Sequence, residues 1–520
     1  MSIKLRKPLS LLIIITIIIG TAAGMNVTAA AIDARNMTFE EFVVAHLDAR
    51  SATIDVSHYW GNSGLTSTAE VSHQFIQVLM NNPQLFHINA ETIEVTRTSA
   101  GVTTITGWGF HMTRNQQTTA KRDFDRAVTR ALTYARNAET DFEKALLLHD
   151  YLVLNVAYDK DNLDSFIRTG KPSNPHAHNA YGALVEGLAV CDGYARAYHY
   201  LLRQVGVESR YAEGLLNGTD HIWNVVNIDG SWFHVDVTAN DPLLNNNFDR
   251  HGFVSHKFFL LSQAALLRHG DHKIDTTRTA PPRANSTTYD RAFFRDVTSA
   301  IIKLGDFYYW FQFSDARTGT ENVQLRRRNI DTGRNSTVLR FESIWYLDGT
   351  EGQSSRRFDL KAYSSLAAYN GILYYNTAKE LRSYNPETRE DKRVFAPSNM
   401  GGAGNRFIYG MTMNGRRISY SVQTTAAAAT NLQNRNVPAA TATSIALNST
   451  SRTMDAGAAF TLRATLTPGD SADFIHWVSS DPSIATVSAG GRVTAVSSGR
   501  VTITAHSDSG RRRNATITVR

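Results

Sequence analysis

Cysteine is nearly missing from this chain: 520 residues contain one, Cys191. That excludes a disulfide framework within the chain and any multi-cysteine zinc site. Proline numbers 12 and glycine 34, which excludes a collagen-like chain or a proline-rich spacer. Charged residues make up 19%, below the roughly 25% of average chains. The 54 Lys+Arg against 47 Asp+Glu leave a modest formal net charge of +7. No basic element interleaved with aromatics stands out, so nucleic acid is not an expected partner. The run Arg511-Arg512-Arg513 follows Ser509-Gly510 and precedes an alternating stretch, which places it at a hairpin turn. Beyond the N-terminus no segment has the roughly 20 apolar residues a membrane span needs, so no transmembrane segment is expected in the mature chain. What is present is 42% hydrophobic and 10% aromatic residues, enough for several packed cores. At about 150 residues per domain the length implies three to four domains.

The N-terminus carries the compartment signal. Lys4, Arg6 and Lys7 form a basic start, Leu9 to Ile19 an apolar run broken by Ser10 and Thr16, and Ala22, Ala23, Gly24 and Ala29-Ala30-Ala31 a small-residue region. This is the order of a secretory signal peptide, assigned to residues 1–31. An uncleaved anchor is the alternative. The expected location is secreted or associated with the cell envelope.

Residues 32–125 read as a small α+β lead-in. Phe42, Val43, His46 and Leu47 suit a short helix and Ala69 to Met80 a second. Thr92 to Thr96 and Val102 to Phe110 alternate like paired strands. A helix is expected over Ala120 to Asn137, running into a domain assigned to 126–275, with further helices over Glu139 to Val156 and Cys191 to Gln204 and a polar loop from Asp159 to His178. Strands follow at Ser209 to Glu213, His221 to Ile228 and Ser231 to Val237, the last two joined by Asp229-Gly230, a tight-hairpin signal. Residues 276–289, with Pro281-Pro282, read as a linker. Residues 290–422 form an all-β module of three similar pieces, each led by an aromatic run such as Phe307-Tyr308-Tyr309 or Tyr374-Tyr375. Closed propellers have about 4 to 8 blades, so three propeller-like hairpins do not make one. Residues 423–443, rich in Ala, Thr and Asn, read as a second linker, and 444–520 as a small β-sandwich.

Cys191 lies where an apolar run ends and a helix begins. The positive end of the helix dipole and the free N–H groups there favour a thiolate, the nucleophilic form. A buried, inert thiol is the alternative. A nucleophilic thiol needs a base and a group to orient it. Reflection across Asp229-Gly230 puts His221 opposite residue 238 and Asp236 opposite residue 223, close enough to touch. His234 shares the face of Asp236 and is a rival base, or simply a polar strand residue. His176 and His178 form a His-x-His pair, but no carboxylate cluster joins them, and no metal site or cofactor is assigned.

The blocks Leu148-His149-Asp150-Tyr151-Leu152, His178-Asn179-Ala180-Tyr181-Gly182, Val190-Cys191-Asp192-Gly193-Tyr194-Ala195, His221-Ile222-Trp223-Asn224 and Trp232-Phe233-His234-Val235-Asp236-Val237-Thr238 together resemble the transglutaminase-like superfamily of bacterial secreted proteins, over about 120 residues. The resemblance implies a papain-like α+β core in which a helix carrying the cysteine packs on an antiparallel sheet. It also implies Cys191 as nucleophile, His221 as general base and acid in preference to His234, and Asp236 as orienting carboxylate. The implied reaction is acyl transfer from a peptide or protein carboxamide through a thioester, with water or an amine as acceptor. Many relatives read Trp-Asp-Asp-Pro where this chain has Ala239-Asn240-Asp241-Pro242, which bears on substrate preference. Candidate oxyanion donors are the Cys191 N–H and Tyr181.

Leu466-Thr467-Pro468, Trp477-Val478-Ser479-Ser480-Asp481, Ile484-Ala485-Thr486-Val487 and Gly499-Arg500-Val501-Thr502-Ile503 resemble the bacterial immunoglobulin-like group 2 domain, which implies a spacer or adhesive module. Trp477 is expected to pack between its sheets. The β-modules are expected to meet cell-wall or extracellular-matrix components. The competing expectation is a non-catalytic surface binding or adhesion protein that keeps the enzyme fold.

Overall fold

The structure is a computed structural model. It describes residues 32–520 apart from 62–64, 91, 242–250, 278–279, 314–321, 344, 346–362, 398–405, 424–431, 438–441, 468–470, 472, 474, 489 and 508. The signal-peptide assignment to 1–31 lies outside the described residues.

The lead-in opens with helix α1 (Phe39–Asp48), then strand β1 (Ile54–Asp55), α2 (Thr68–Asn81), and strands β2 (Ile88–Asn89), β3 (Glu94–Arg97), β4 (Thr103–Thr106) and β5 (Gly109–Phe110). Both helices start on a capping box, Thr38 with Glu41 and Ser67 with Glu70, which satisfies N–H groups that the first turn leaves without partners. Their apolar faces close a separate core around Phe42, Val71, Phe75 and Ile105.

The central unit is built on α3 (Arg114–Tyr134), α4 (Asp141–Asn155), α5 (Lys160–Thr169) and α6 (Cys191–Gln204). Short strands β6 (Ala157–Tyr158) and β7 (Leu188–Ala189) pair in parallel ahead of α6. Strands β8 (Ser209–Leu216), β9 (Thr219–Ile228), β10 (Ser231–Val235) and, after α7 (Gln263–Arg268), β11 (His272–Ile274) form one antiparallel sheet in the order β10-β9-β8-β11. In α4 the residues from Ala145 to Val153 are all buried and in α6 nearly all from Gly193 to Leu202, so both are wrapped by protein rather than lying on a surface. Each large apolar side chain enclosed this way is worth about 1.5–3 kcal/mol.

The loop expected from Asp159 to His178 contains α5. Asp159 accepts the N–H of Asn162, Gly170 ends the helix in the left-handed region, and Leu163, Phe166 and Ile167 share one face at i, i+3, i+4 spacing. The apolar face was in the sequence, but charged residues between its members masked the period.

The middle region is three successive up-and-down sheets: Ile302–Leu304 to Asn335–Glu342, Leu366–Tyr369 to Glu390–Phe395, and Phe407–Asn414 to Gln433–Asn436. Parts of both expected linkers are held by the fold. In 276–289, Ala284 is fully buried, its carbonyl accepts the N–H of Gln263, and Tyr289 stacks on Phe142 of α4. In 423–443, Gln433–Asn436 pairs with Arg417–Gln423 as an exposed edge strand, while 424–431 and 438–441 lie outside the described residues. The C-terminal part is a sandwich in which Gly499–Ser507 and Arg512–Val519 make the longest hairpin, with Arg511 between them. Trp477 packs against both of its core clusters, as expected of a residue between sheets.

Candidate active site

Cys191 is the first residue of α6, with Val190 as its N-cap. The helix can start there because Gly193 lets its first turn lie against the segment before it. A Cβ on Gly193 would sit 2.5 Å from the Ala177 carbonyl oxygen, 2.7 Å from Ala189 Cβ and 3.1 Å from the Asn179 carbonyl oxygen. The thiol is half-buried, and its neighbours in the packing are Met80, Ala195, Tyr211 and Ile222.

The hairpin of β9 and β10 turns through Asp229 and Gly230, both at positive φ, which matches the twist of the strands and fixes the register Ile228↔Ser231 through Asn224↔Val235. That register carries Asp236 to His221. The His221 Nε2 lies 2.7 Å from Asp236 Oδ2, with both side chains buried. The Cys191 thiol donates to Asp192 Oδ1 at 3.8 Å and borders the same cleft as His221, whose proton affinity it helps to raise. Burial alone would lower the pKa of His221. The charge and hydrogen bond of Asp236, with a further contribution from Cys191, outweigh it and push His221 up to about 10. Burial likewise opposes the charge on Asp236, but His221 and then His272 hold its carboxyl well below the usual range. The arrangement is an imidazole hydrogen-bonded to a buried carboxylate, beside a cleft that also holds a thiol at the head of a helix.

His234 does not reach the thiol. Its Nδ1 accepts the indole N–H of Trp223 at 3.0 Å, and burial pushes it down to about 4, so it is a neutral part of the sheet packing. Sequence reasoning missed His272. It comes 36 residues after Asp236 on edge strand β11, and its Nε2 lies 2.8 Å from the same Asp236 Oδ2. Asp236 Oδ1 accepts the N–H of Ala239 at 3.0 Å. Three donors therefore fix the carboxylate. The His272 ring packs on Trp223 and Phe258. No local motif marks His272, because only the pairing of β11 with β8 brings it here.

Tyr181 is not brought to the thiol. Its ring packs tilted against Phe86 at 4.7 Å and edge-to-face with His176 at 5.2 Å, and it does not line the cleft around Cys191. His176 pairs with Glu186, while His178 lies between Asp192 and Asn162. The two imidazoles thus take separate protein partners. Ala239, in the place of the tryptophan of many relatives, lines the cleft, and Asn240 and Asp241 turn inward to His149 and Tyr194.

Two His/Asp groups among the described residues have ligand-type atoms close together: His221, Asp236, His272 and His149, Asp150, His256. In both, the separations of 2.7–3.0 Å are those of hydrogen bonds. In the second group Asp150 Oδ2 also accepts the Ile301 N–H, and His256 Nδ1 lies 3.0 Å from the Val297 carbonyl. That group is a satisfied internal network.

Cys191 and His221 lie in a cleft of about 1190 Å³. One wall comes from the lead-in, with Ile76, Leu79, Met80 and Phe86, and another from α5, with Leu163, Phe166 and Ile167. The lead-in wall is fixed to the central unit: Arg203 donates to the Asn81 carbonyl, and Tyr211 donates to the Met80 carbonyl at 2.8 Å. Ile76, Phe166 and Ile167 are 38%, 47% and 69% exposed, so the cleft presents apolar surface with no cover in the described residues. Asp192, Glu213, Asp220 and Asp241 line it with a single arginine, Arg196, a locally acidic place in a basic chain.

Residues 127–237 match the family model of the transglutaminase-like superfamily, and residues 441–519 that of the bacterial Ig-like domain (group 2). A human protein, kyphoscoliosis peptidase, is 26% identical over 162 residues, covering 29% of this chain and 23% of its own. The chain therefore matches less than a quarter of that relative's length. A crystal structure of a TGase overlaps 30% of this chain and 47% of its own at 12% identity and a TM-score of 0.22. The arylamine N-acetyltransferase from Salmonella typhimurium overlaps 55% and 87% at 13% identity and a TM-score of 0.20. No helix among the described residues is long and apolar enough to cross a membrane.

Proposed function

We propose that this chain is a secreted cysteine enzyme that transfers acyl groups from peptide or protein carboxamides through Cys191, His221 and Asp236. The observation that carries the reading is His221, hydrogen-bonded to the buried Asp236 carboxylate at 2.7 Å, lining one cleft with the Cys191 thiol at the head of α6.

The chemistry follows from those contacts. The Cys191 thiolate attacks the carboxamide carbon, an S–C bond forms, and the carbonyl oxygen takes the negative charge. The tetrahedral adduct collapses, the C–N bond breaks, and ammonia or an amine leaves with a proton from His221. Water or a second amine then attacks the thioester, gives its proton to His221, and frees Cys191. Asp236 holds the ring in register and stabilises its charge throughout. The apolar walls suit bulky side chains flanking the reacting amide. The N-terminal apolar stretch and the Ig-like domain support action outside the cytoplasm, with the β-modules meeting wall or matrix components.

The test is ammonia release from a glutamine-containing peptide, with and without an added primary amine. Cys191→Ala should lower release by roughly 10³-fold or more. Incorporation of the amine identifies transamidation, and its absence identifies hydrolysis. Equal release by parent and variant contradicts the nucleophile and favours a binding protein that keeps the fold.

A further inference from the structure

Acyl transfer requires donors for the oxygen that becomes negative, and one backbone N–H at the head of α6 is a single donor. Among the residues lining the cleft with Cys191 is Asn179. Its Oδ1 accepts two backbone N–H groups, from Tyr181 at 3.0 Å and Gly182 at 3.2 Å. Those two bonds fix which end of the amide is oxygen, and so direct the Nδ2–H₂ group away from the turn. The Nδ2 has no hydrogen-bond partner among the described residues, and it is not among the buried polar atoms left without one. An amide donor with neither partner nor enclosure, on a residue that is 9% exposed and borders the cleft, faces the cleft. The backbone of Asn179 also belongs to the segment on which the first turn of α6 rests, so its position is tied to that of Cys191.

We infer that Asn179 is a catalytic residue of the proposed acyl transfer, its Nδ2–H₂ donating with the Cys191 N–H to the oxyanion. The inference rests on the function proposed above. It reassigns the role expected of Tyr181, whose backbone N–H instead helps to aim the amide. Because the donor is set by bonds on its own oxygen, it is in place before the substrate arrives, which is the condition for strong stabilisation of developing charge.

Two electrophiles separate this role from a structural one. p-Nitrophenyl acetate acylates the thiol through a tetrahedral oxyanion: the S–C bond forms, the C–O bond breaks and p-nitrophenolate leaves. Iodoacetamide alkylates the same sulfur by displacing iodide, with no oxyanion. Asn179→Asp keeps the oxygen that caps Tyr181 and Gly182 but has no N–H to donate. In the full chain it should slow acylation by roughly 10²-fold or more, while the iodoacetamide rate at Cys191 stays within about threefold of the parent. Asn179→Ala, which lacks the cap as well, should show the same separation between the two rates. The inference is overturned if both rates fall together, or if neither changes. A parent chain that reacts with neither reagent at Cys191 overturns the proposed function instead.

Discussion

Asp236 Oδ2 receives the imidazoles of both His221 and His272, and that shared oxygen has a consequence for stability. The raised proton affinity of His221 means that its protonated form stabilises the fold. That contribution is complete below the unfolded value of about 6.5 and is lost as pH rises through about 10. The lowered pKa of Asp236 contributes in the opposite sense, present above the ordinary carboxylate range and lost as pH falls through it. Urea denaturation of the parent and of His221→Gln should therefore show a stability gap that is widest near neutral pH and narrows between about pH 7 and 10. A gap that stays constant or widens over that range contradicts the charge state described here. At this scale the place of Cys191 at a helix start and the contact of His221 with Asp236 were legible, since the helix start and the hairpin reflection each rest on local signals. The contact of His272 with Asp236, and the role inferred above for Asn179, were not legible. One depends on a strand pairing across 36 residues, and the other on the direction of an amide that only its turn defines.

At the scale of elements, the position of Cys191 depends on how closely α6 approaches the segment 175–189. Gly193 permits that approach, and Gly193→Ala has no room for its Cβ beside the Ala177 carbonyl and Ala189. Overpacking of this kind costs about 1–3 kcal/mol. The variant should lift the first turn and withdraw the thiol from His221, so that iodoacetamide alkylation of Cys191 at neutral pH falls roughly tenfold while circular dichroism stays near that of the parent. An unchanged alkylation rate in the folded variant contradicts the placement of the helix. The bounds of α6 were plain from the sequence because an apolar run ends at Val190, an apolar face repeats through Leu202 and Gly206 follows at positive φ. The wall made by α5 was not, because a short helix with one apolar face inside a polar stretch carries little of the period that marks longer ones.

At the scale of the whole molecule, the central unit does not end where composition changes. Phe294, Ile301, Tyr309 and Phe311 belong to the same core as α3, α4 and α6. Glu143, buried at the start of α4, binds Lys303 at 2.9 Å and Tyr308 at 2.7 Å. Asp150 joins His149, His256 and the Ile301 N–H, while His149 reaches Asn240 in the turn after Asp236. The first strands of the middle region thus support the loop that follows the site carboxylate. A proline pair and a polar stretch looked like a boundary, but the backbone there is held by partners distant in sequence, which composition does not register. The function proposed above makes Cys191 the point of covalent attack. Its most direct test is mass spectrometry of the full chain, quenched in acid shortly after mixing with a glutamine-containing peptide. The account predicts an adduct on Cys191 with the mass of the peptide less ammonia, removed by hydroxylamine and missing in Cys191→Ala. Turnover of the peptide that persists in Cys191→Ala, or an adduct on any other residue, would contradict it.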